Sequence, residues 1–295
     1  MSDFVIETSG LRKSYNGHPA LRGLNLQVPA GSIFGFVGRN GAGKTTTIKL
    51  LMGLLRADAG SARVFGLPAD QEHGIAIRRR TGFVTEDKDL YPYMTVEKMI
   101  RFARPFFPKW RDDLERRYLT LFDLPPRKKI PDLSKGMRSK LMLLLALARG
   151  AELLILDEPT DGLDPAVTEV VLRELALAAA EGVTVFFSSH QLSEVEQIAD
   201  HVAIIDQGRD LVAGSLDDLK TRYQRLNVVF EREPRDPVRW VDGAENVRED
   251  GRIVSILASR NVEAIVEQAR SLPGASVERF PVTLKEIFLE HVRSN

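Results

Sequence analysis

The sequence predicts an α/β fold with a helical subdomain, followed by a small α+β domain. Three observations predict it. The apolar run Ile33-Phe34-Gly35-Phe36-Val37 reads as a buried strand that enters a glycine-rich stretch, 38–46, and is followed by a helix-like segment to Leu51. Two further apolar runs, 153–156 and 183–187, have the length of central parallel strands and flank a long helical pattern at 166–180. After about Leu226 the character changes. Short alternating strands and two amphipathic helices there suit a separate α+β unit of about 70 residues. The expected domains are therefore 1–223 and 224–295, with the helical subdomain at about 88–150.

Composition narrows the function. Lys plus Arg and Asp plus Glu both total 41, so nothing global argues for nucleic acid or an anionic membrane surface as partner. There is no cysteine, which excludes disulfides, thiol catalysis and thiolate metal sites. The start, Met1-Ser2-Asp3-Phe4, has neither a basic region nor a long apolar core, so no signal peptide is expected. The longest apolar runs, such as 141–148, fall well short of the roughly 20 residues of a membrane span. The chain is expected to be soluble and cytoplasmic, and any membrane part of its process must come from another chain.

The stretch Gly38-Arg39-Asn40-Gly41-Ala42-Gly43-Lys44-Thr45-Thr46 has the spacing glycine, four residues, Gly-Lys-Thr. A strand before it and a helix after it are what a phosphate-binding loop requires, and they favour that reading over a plain glycine turn. Glycines let the loop curl so that successive backbone N–H groups face an anion. The helix N-terminus adds unpaired amides and the positive end of its dipole. Lys44 can then reach the β- and γ-phosphates, and the Thr45 hydroxyl can bind Mg²⁺.

Upstream, 4–8 and 24–28 read as short strands. Tyr15 lies between them; alone it is a strand-end aromatic, but ahead of a phosphate loop it can also stack on a nucleotide base. Downstream, 61–65 is a strand and 75–80 a short helix whose arginines suit a solvated face. Gly82-Phe83-Val84-Thr85 is a buried strand leaving into the polar loop Glu86-Asp87-Lys88-Asp89. From Thr95 to about Leu124 the pattern is helical, interrupted at Pro105 and Pro108. Tyr91, Tyr93, Phe102, Phe106, Phe107 and Trp110 cluster here. Most are expected in a small helical core, with a docking surface for an apolar partner element as the alternative.

Leu133-Ser134-Lys135-Gly136-Met137 opens an apolar helix whose N-terminus is a second potential anion site, though by itself it reads as a helix cap. The run 153–156 ends in Asp157-Glu158. Two acids at the end of a buried strand can be a plain turn; downstream of a phosphate loop they also suit an Asp157 bound through Mg²⁺ and a Glu158 that orients water. Pro159-Thr160-Asp161-Gly162-Leu163-Asp164-Pro165 is an ordered loop. The strand at 183–187 closes with Ser188-Ser189-His190. His190 is either a satisfied strand-end histidine or, if that strand neighbours the phosphate loop, a γ-phosphate contact. Beyond 226, the stretch 232–250 is charged, with two prolines and several turn residues.

Taken in order, these motifs resemble the ATP-binding subunit of ABC transporters over about residues 3–223, and the departures narrow the resemblance to bacterial exporter-type members. The resemblance implies a P-loop NTPase core of ABC-ATPase type. It assigns Gly38, Asn40, Gly41, Gly43, Lys44, Thr45 and Thr46 to the phosphate loop and Tyr15 to base stacking. Residues 133–137 match the signature motif, with Ser134 and Gly136 as its nucleotide contacts. Asp161-Gly162-Leu163-Asp164 matches the loop that crosses a dimer interface, which brings Asp164 to the nucleotide. Glu158 and His190 take the catalytic positions, and Thr45, Asp157 and Glu86 the Mg²⁺ positions. Glu86 stands where glutamine is common, Lys135 where the first glycine of a pair is common, and Asp161 where serine is common. The implied cofactors are ATP and Mg²⁺. The implied partners are a membrane-spanning transporter subunit and a second ATP-binding subunit, identical or paralogous, without nucleic acid. The implied location is the inner face of the cell membrane.

Two other functions compete. A soluble ABC ATPase acting on ribosomes or DNA would carry either two such domains joined by a charged linker or a long coiled coil, and no heptad run of that length is present. A regulatory module with little turnover fits poorly with intact Asp157, Glu158 and His190, while Glu86 and Lys135 leave it open.

Overall fold

A strand buried on both faces must be apolar throughout, and β3 (Ile33–Gly38) meets that condition at every position. In the computed structural model, which describes residues 3–85, 90–233 and 238–293, β3 lies inside a six-stranded sheet. The sheet order is β10-β9-β3-β8-β7-β6, with β6 at Thr81–Val84, β7 at Leu153–Asp157, β8 at Thr184–Ser189, β9 at His201–Asp206 and β10 at Arg209–Ser215. β3 runs parallel to both β8 and β9, and β7 runs parallel to β6 and β8. The C-terminal ends of β3, β7 and β8 therefore emerge side by side. The loop 38–46, the pair Asp157-Glu158 and His190 all follow those ends.

A second, antiparallel sheet has the order β2-β1-β4-β5. Its strands are β1 (Phe4–Tyr15), β2 (His18–Pro29), β4 (Ala59–Val64) and β5 (Leu67–Pro68). β1 and β2 are far longer than the expected 4–8 and 24–28. Their register shifts around Gly10, which breaks the alternation that marks a strand in sequence. The two sheets enclose a core that includes Ile6, Leu24, Phe36, Ile48 and Phe186. Phe186 fixes its centre, with ring centroids 5.7 Å from Phe34 and 5.2 Å from Phe36.

Helices fill the connections. α1 (Lys44–Leu51) follows the phosphate loop, and α2 (Gly74–Arg80) precedes β6. The helical arm holds α3 (Val96–Ala103), α4 (Asp112–Leu121) and α5 (Lys135–Leu147), with a 3-10 turn at Arg104–Phe106 where Pro105 interrupts the pattern. Thr95, Ser134 and Asp164 cap α3, α5 and α6 (Pro165–Ala180), each accepting from a backbone N–H in the first turn. Arg117 on α4 pairs with the buried Glu174 of α6 at 2.8 Å. Tyr118 also donates to Glu174, and burial pushes its phenol well above the usual range. α7 (Leu192–Ile198) follows β8.

The aromatic cluster corrects one expectation. Tyr91, Tyr93, Phe102 and Phe106 are exposed, and Phe107 and Trp110 are half-buried, so none of the six belongs to the core. The arm's interior is built instead from residues such as Val96, Ile100, Tyr118, Phe122 and Leu144. The α2 arginines are only partly a solvated face: Arg78 donates to the Met52 carbonyl and Arg80 pairs with Glu152.

The chain divides into two compact units, residues 1–213 and 214–295, one helix before the expected boundary at 223/224. The second unit contains α8 (Leu216–Arg222), β11 (Gln224–Phe230), β12 (Ala244–Asp250), β13 (Ile253–Ala258), α9 (Val262–Ser271), β14 (Ala275–Phe280) and α10 (Leu284–Arg293). Its antiparallel sheet runs β12-β13-β11-β14, and Leu226, Val228, Ile256 and Ile265 are among its own core. β12 falls inside the charged stretch 232–250.

Candidate functional site

Gly43 sets the shape of the loop between β3 and α1. Its φ is 111°, and a Cβ there would lie 2.7 Å from Leu21 Cδ2 and 2.8 Å from the Ala20 carbonyl, so only glycine lets the loop pass this close to β2. The loop is closed by Ala42 N–H donating to Arg39 and is held from outside by Gly208 N–H donating to Ala42. Asn40, Gly41, Gly43, Lys44, Thr45 and Thr46 line one cavity of about 200 Å³, and Glu158 completes its wall. Gly38 is the buried last residue of β3, where a Cβ would meet the Ile205 carbonyl at 2.6 Å.

Lys44 is buried, donates to the Gly38 carbonyl at 2.8 Å, and lies 3.3 Å from Glu158 Oε1. The other oxygen of Glu158 is 2.9 Å from His190 Nδ1. One carboxylate thus links the phosphate-loop lysine to the histidine after β8. Glu158 has a φ of 49°, a left-handed conformation that a residue with a Cβ holds only where its surroundings impose it. Ser188 supplies part of that constraint. Its hydroxyl accepts from Glu158 N–H at 3.0 Å and donates to Asp157 Oδ1 at 2.6 Å.

Asp157 is 1% exposed. Among the described residues its carboxylate has that hydroxyl but no cationic side chain as partner. A buried carboxylate without a cationic partner is of the chemical kind that suits a divalent cation. Among the described residues no group of three or more His, Asp or Glu side chains could hold a metal ion. Glu86 lies outside the described residues.

The other expected residues stand apart from this cavity. Tyr15 is exposed at the end of β1, opposite His18 and outside the cavity lining. Ser134 caps α5 by accepting from Met137 N–H at 3.2 Å. Gly136 sits against the next loop, where a Cβ would come 3.1 Å from the Gly162 carbonyl. Asp164 caps α6 by accepting from Val167 N–H at 3.0 Å. Within one chain, then, Lys44, Glu158, Asp157 and His190 converge, while Ser134, Gly136 and Asp164 form a separate edge.

Sequence reasoning passed over two residues of the convergent group. The sequence marks Ser188 only as the end of a strand, although a hydroxyl one residue past an apolar run, beside a strand ending in acids, is a usable signal. Glu194 of α7 is buried, accepts from Thr160 at 2.7 Å and from Ser189 at 3.2 Å, and is pushed above the usual carboxylate range by burial. It props the Thr160 turn from behind, and nothing local in sequence marks it.

Comparison with known proteins agrees with this geometry. A family model described as ABC transporter matches residues 21–161. A second, described as AAA domain, putative AbiEii toxin, Type IV TA system, matches residues 127–196. The bacitracin transport ATP-binding protein BcrA of Bacillus licheniformis is 37% identical over 75% of this chain and 73% of its own. The daunorubicin/doxorubicin resistance ATP-binding protein DrrA of Streptomyces peucetius is 38% identical over 74% of this chain and 67% of its own. A solved structure of the ATP binding subunit of an ABC transporter superposes with a TM-score of 0.68 at 30% identity, covering 74% of this chain and 92% of that one. Likeness at this level, over more than two thirds of each relative, places the chain in the family of ABC transporter ATP-binding proteins, with the P-loop ATPase fold and the ATP-hydrolysing activity of that family.

Proposed function

We propose that this chain drives export through separate membrane subunits, binding and hydrolysing ATP between two head-to-tail copies or between this chain and a paralogue. The observation that carries the reading is the position of Glu158, whose two oxygens face Lys44 and His190 at the wall of the phosphate-loop cavity. The names of the two relatives, one of bacitracin transport and one of drug resistance, support export.

In this reading the loop amides and Lys44 hold the β- and γ-phosphates. Thr45 and Asp157, with Glu86 as a further candidate, would hold Mg²⁺, which when bound draws negative charge away from the phosphates. Glu158 accepts a hydrogen bond from the attacking water and orients it, and His190 turns from Glu158 to the γ-phosphate. Tyr15 stacks on the base. Ser134, Gly136 and Asp164, which stand apart in one chain, close the site of the other copy. Loss of the γ-phosphate removes the bridge and the pair opens.

The membrane subunit docks beside the helical arm. A groove of about 720 Å³ is lined by Phe83, Phe106, Phe107, Arg78 and Arg149 among others, and Phe106 is joined to the exposed Tyr91 through Phe102. No helix of the described residues is long and apolar enough to cross a membrane, in keeping with a peripheral subunit at the inner face.

The reading is tested by size-exclusion chromatography with light scattering on the full chain carrying Glu158→Gln. In ATP and Mg²⁺ the variant is expected to run at twice the monomer mass. A monomer at saturating ATP overturns the composite site.

A further inference from the structure

The two positions that depart from the family pattern in the signature motif and in the loop after Glu158 meet in the structure. Lys135 Nζ lies 2.8 Å from Asp161 Oδ2, across 26 residues of sequence. The contact is reinforced on both sides. A Cβ on Gly162 would fall 2.8 Å from Lys135 Cδ, so the lysine stem lies across Gly162. The Ser139 hydroxyl, one turn further along α5, is within hydrogen-bond reach of the Asp161 carbonyl at 3.3 Å and the Lys135 carbonyl at 3.1 Å. Gly136 packs against the Gly162 carbonyl from the same helix face. The first turn of α5 is thus clamped to the 158–164 loop.

That loop is the one that carries Glu158. Asp161 N–H donates to the Glu158 carbonyl at 3.2 Å, closing a tight turn, and Glu158 itself holds a left-handed φ of 49°. Such a conformation persists only where the surroundings over-determine it. Ser188 fixes the turn at its Glu158 end. Thr160, through Glu194, fixes its middle. The Asp161 end is fixed by α5. The first turn of α5 has no acidic residue of its own, so Asp161 is the carboxylate that meets Lys135 from another element.

We propose that Lys135 is a positioning residue for ATP hydrolysis: through Asp161 it sets the Glu158 turn, and it makes the orientation of that turn depend on where α5 sits. The inference rests on the reading of Glu158 as the water-orienting group. Its consequence is a mechanical link inside one chain. A displacement of the helical arm that shifts the start of α5 is passed to the Glu158 turn by the Lys135–Asp161 pair. Lys135 is 64% and Asp161 34% exposed, so the pair is solvent-shared and its own contribution is modest beside the Ser139 and Gly162 contacts that hold the same junction.

The experiment uses the purified full chain and steady-state phosphate release in Mg²⁺-ATP. The variants are Lys135→Met, Asp161→Asn, the swap Lys135→Asp with Asp161→Lys, and Glu158→Gln. Each single change at the pair is expected to lower kcat on the order of two- to fivefold, with KM for ATP within about twofold of wild type, as befits an exposed pair. The swap restores the opposite charges and is expected to recover most of the lost kcat. Two results overturn the proposal: single variants with wild-type kcat, or a swap no better than the product of the two single losses. A loss that appears in KM alone also overturns it, since the pair then serves binding and leaves the turn unaffected. Glu158→Gln separates the layers. If it hydrolyses ATP at the wild-type rate, the reading of Glu158 falls and this inference with it. If it is inactive while both pair variants keep wild-type kcat, only the positioning role falls.

Discussion

Glu158 and His190 share a short contact: Nδ1 of the histidine lies 2.9 Å from Oε2, while Oε1 of the same carboxylate lies 3.3 Å from Lys44 Nζ. A carboxylate between a phosphate-binding cation and an imidazole can accept from a water placed against the terminal phosphate. Glu158→Gln keeps the shape and the hydrogen-bonding reach but removes the charge that draws on the water. The expected loss in phosphate release is on the order of 10²–10⁴-fold, the range for removal of a positioned general base. Binding of a fluorescent ATP analogue is expected to survive. Hydrolysis at the wild-type rate would show that the base is another group.

Lys44→Ala separates binding from hydrolysis in the other direction. Lys44 is buried at the cavity wall, where the other cationic side chain of the lining is the exposed Arg39. Equilibrium titration with the same analogue is expected to show affinity reduced about tenfold or more, as when a charged hydrogen-bond partner is lost. Unchanged affinity would remove Lys44 from the phosphate site.

Ser188 offers a test of the Mg²⁺ position. Its hydroxyl joins Asp157 to the backbone of Glu158 and is fully buried. Ser188→Ala leaves the Asp157 oxygen and the Glu158 N–H without that partner, a cost of about 1–3 kcal/mol in stability. It also frees Asp157 to turn. Half-maximal phosphate release is therefore expected at a higher Mg²⁺ concentration than in wild type. Identical Mg²⁺ titrations would detach Asp157 from the ion.

The phosphate loop was legible because its chemistry is carried by contiguous backbone. Glycines at 41 and 43 adopt positive φ, and the strand before and the helix after are strongly patterned. The strand ending in Asp157-Glu158 was legible for the same reason, as a run buried on both faces has no other reading downstream of such a loop. The contacts that hold these residues in place were not. Lys135 meets Asp161, Ser188 meets Asp157, and Glu194 meets Thr160 only because parallel strands bring distant segments together. The strand at Ala244–Asp250 was missed because an exposed edge strand has no apolar face to alternate. The aromatics of the helical arm misled in the opposite sense. Side chains of that kind usually fill a core, and here Tyr91, Tyr93, Phe102 and Phe106 stay outside it.

Glu194 predicts a pH effect. Burial raises its carboxyl above the ordinary carboxylate range, against the lowering effect of the Thr160 and Ser189 hydroxyls. The folded state therefore holds this proton more tightly than the unfolded chain does. The stabilisation from that proton is fully present below the unfolded pKa and is lost as pH rises through the folded one. Glu194→Gln keeps an acceptor oxygen for Thr160 and carries no charge at any pH. Thermal unfolding of the two proteins is expected to favour the variant at neutral pH, with the gap narrowing as pH falls toward 4.5. A constant gap across that range would mean that the carboxylate stays ionised throughout.

The exposed aromatic cluster predicts where the membrane subunit touches. Tyr93 is 73% and Tyr91 45% exposed, yet the rings are ordered against one another. Tyr91 lies 5.7 Å from Tyr93 and 5.3 Å, edge-on, from Phe102, and Phe102 lies 5.5 Å from Phe106. All four rings stay exposed and none belongs to a core, so their removal costs the fold less than loss of a core residue. Large aromatic side chains are the residues that most often dominate binding at protein interfaces. A short amphipathic helix laid along this surface and into the groove beside Phe106 would bury its apolar face there. Tyr93→Asp and Tyr91→Asp place a charge in that contact, and Met94→Asp places one beside it, at the half-buried residue that follows Tyr93. Each is expected to lower sedimentation of the full chain with inner-membrane vesicles from the source cells about tenfold or more, the range for loss of a strong interface residue. Affinity for the ATP analogue should stay at the wild-type value, since none of the three residues lines the phosphate-loop cavity. Wild-type sedimentation by all three variants would move the docking surface elsewhere on the chain.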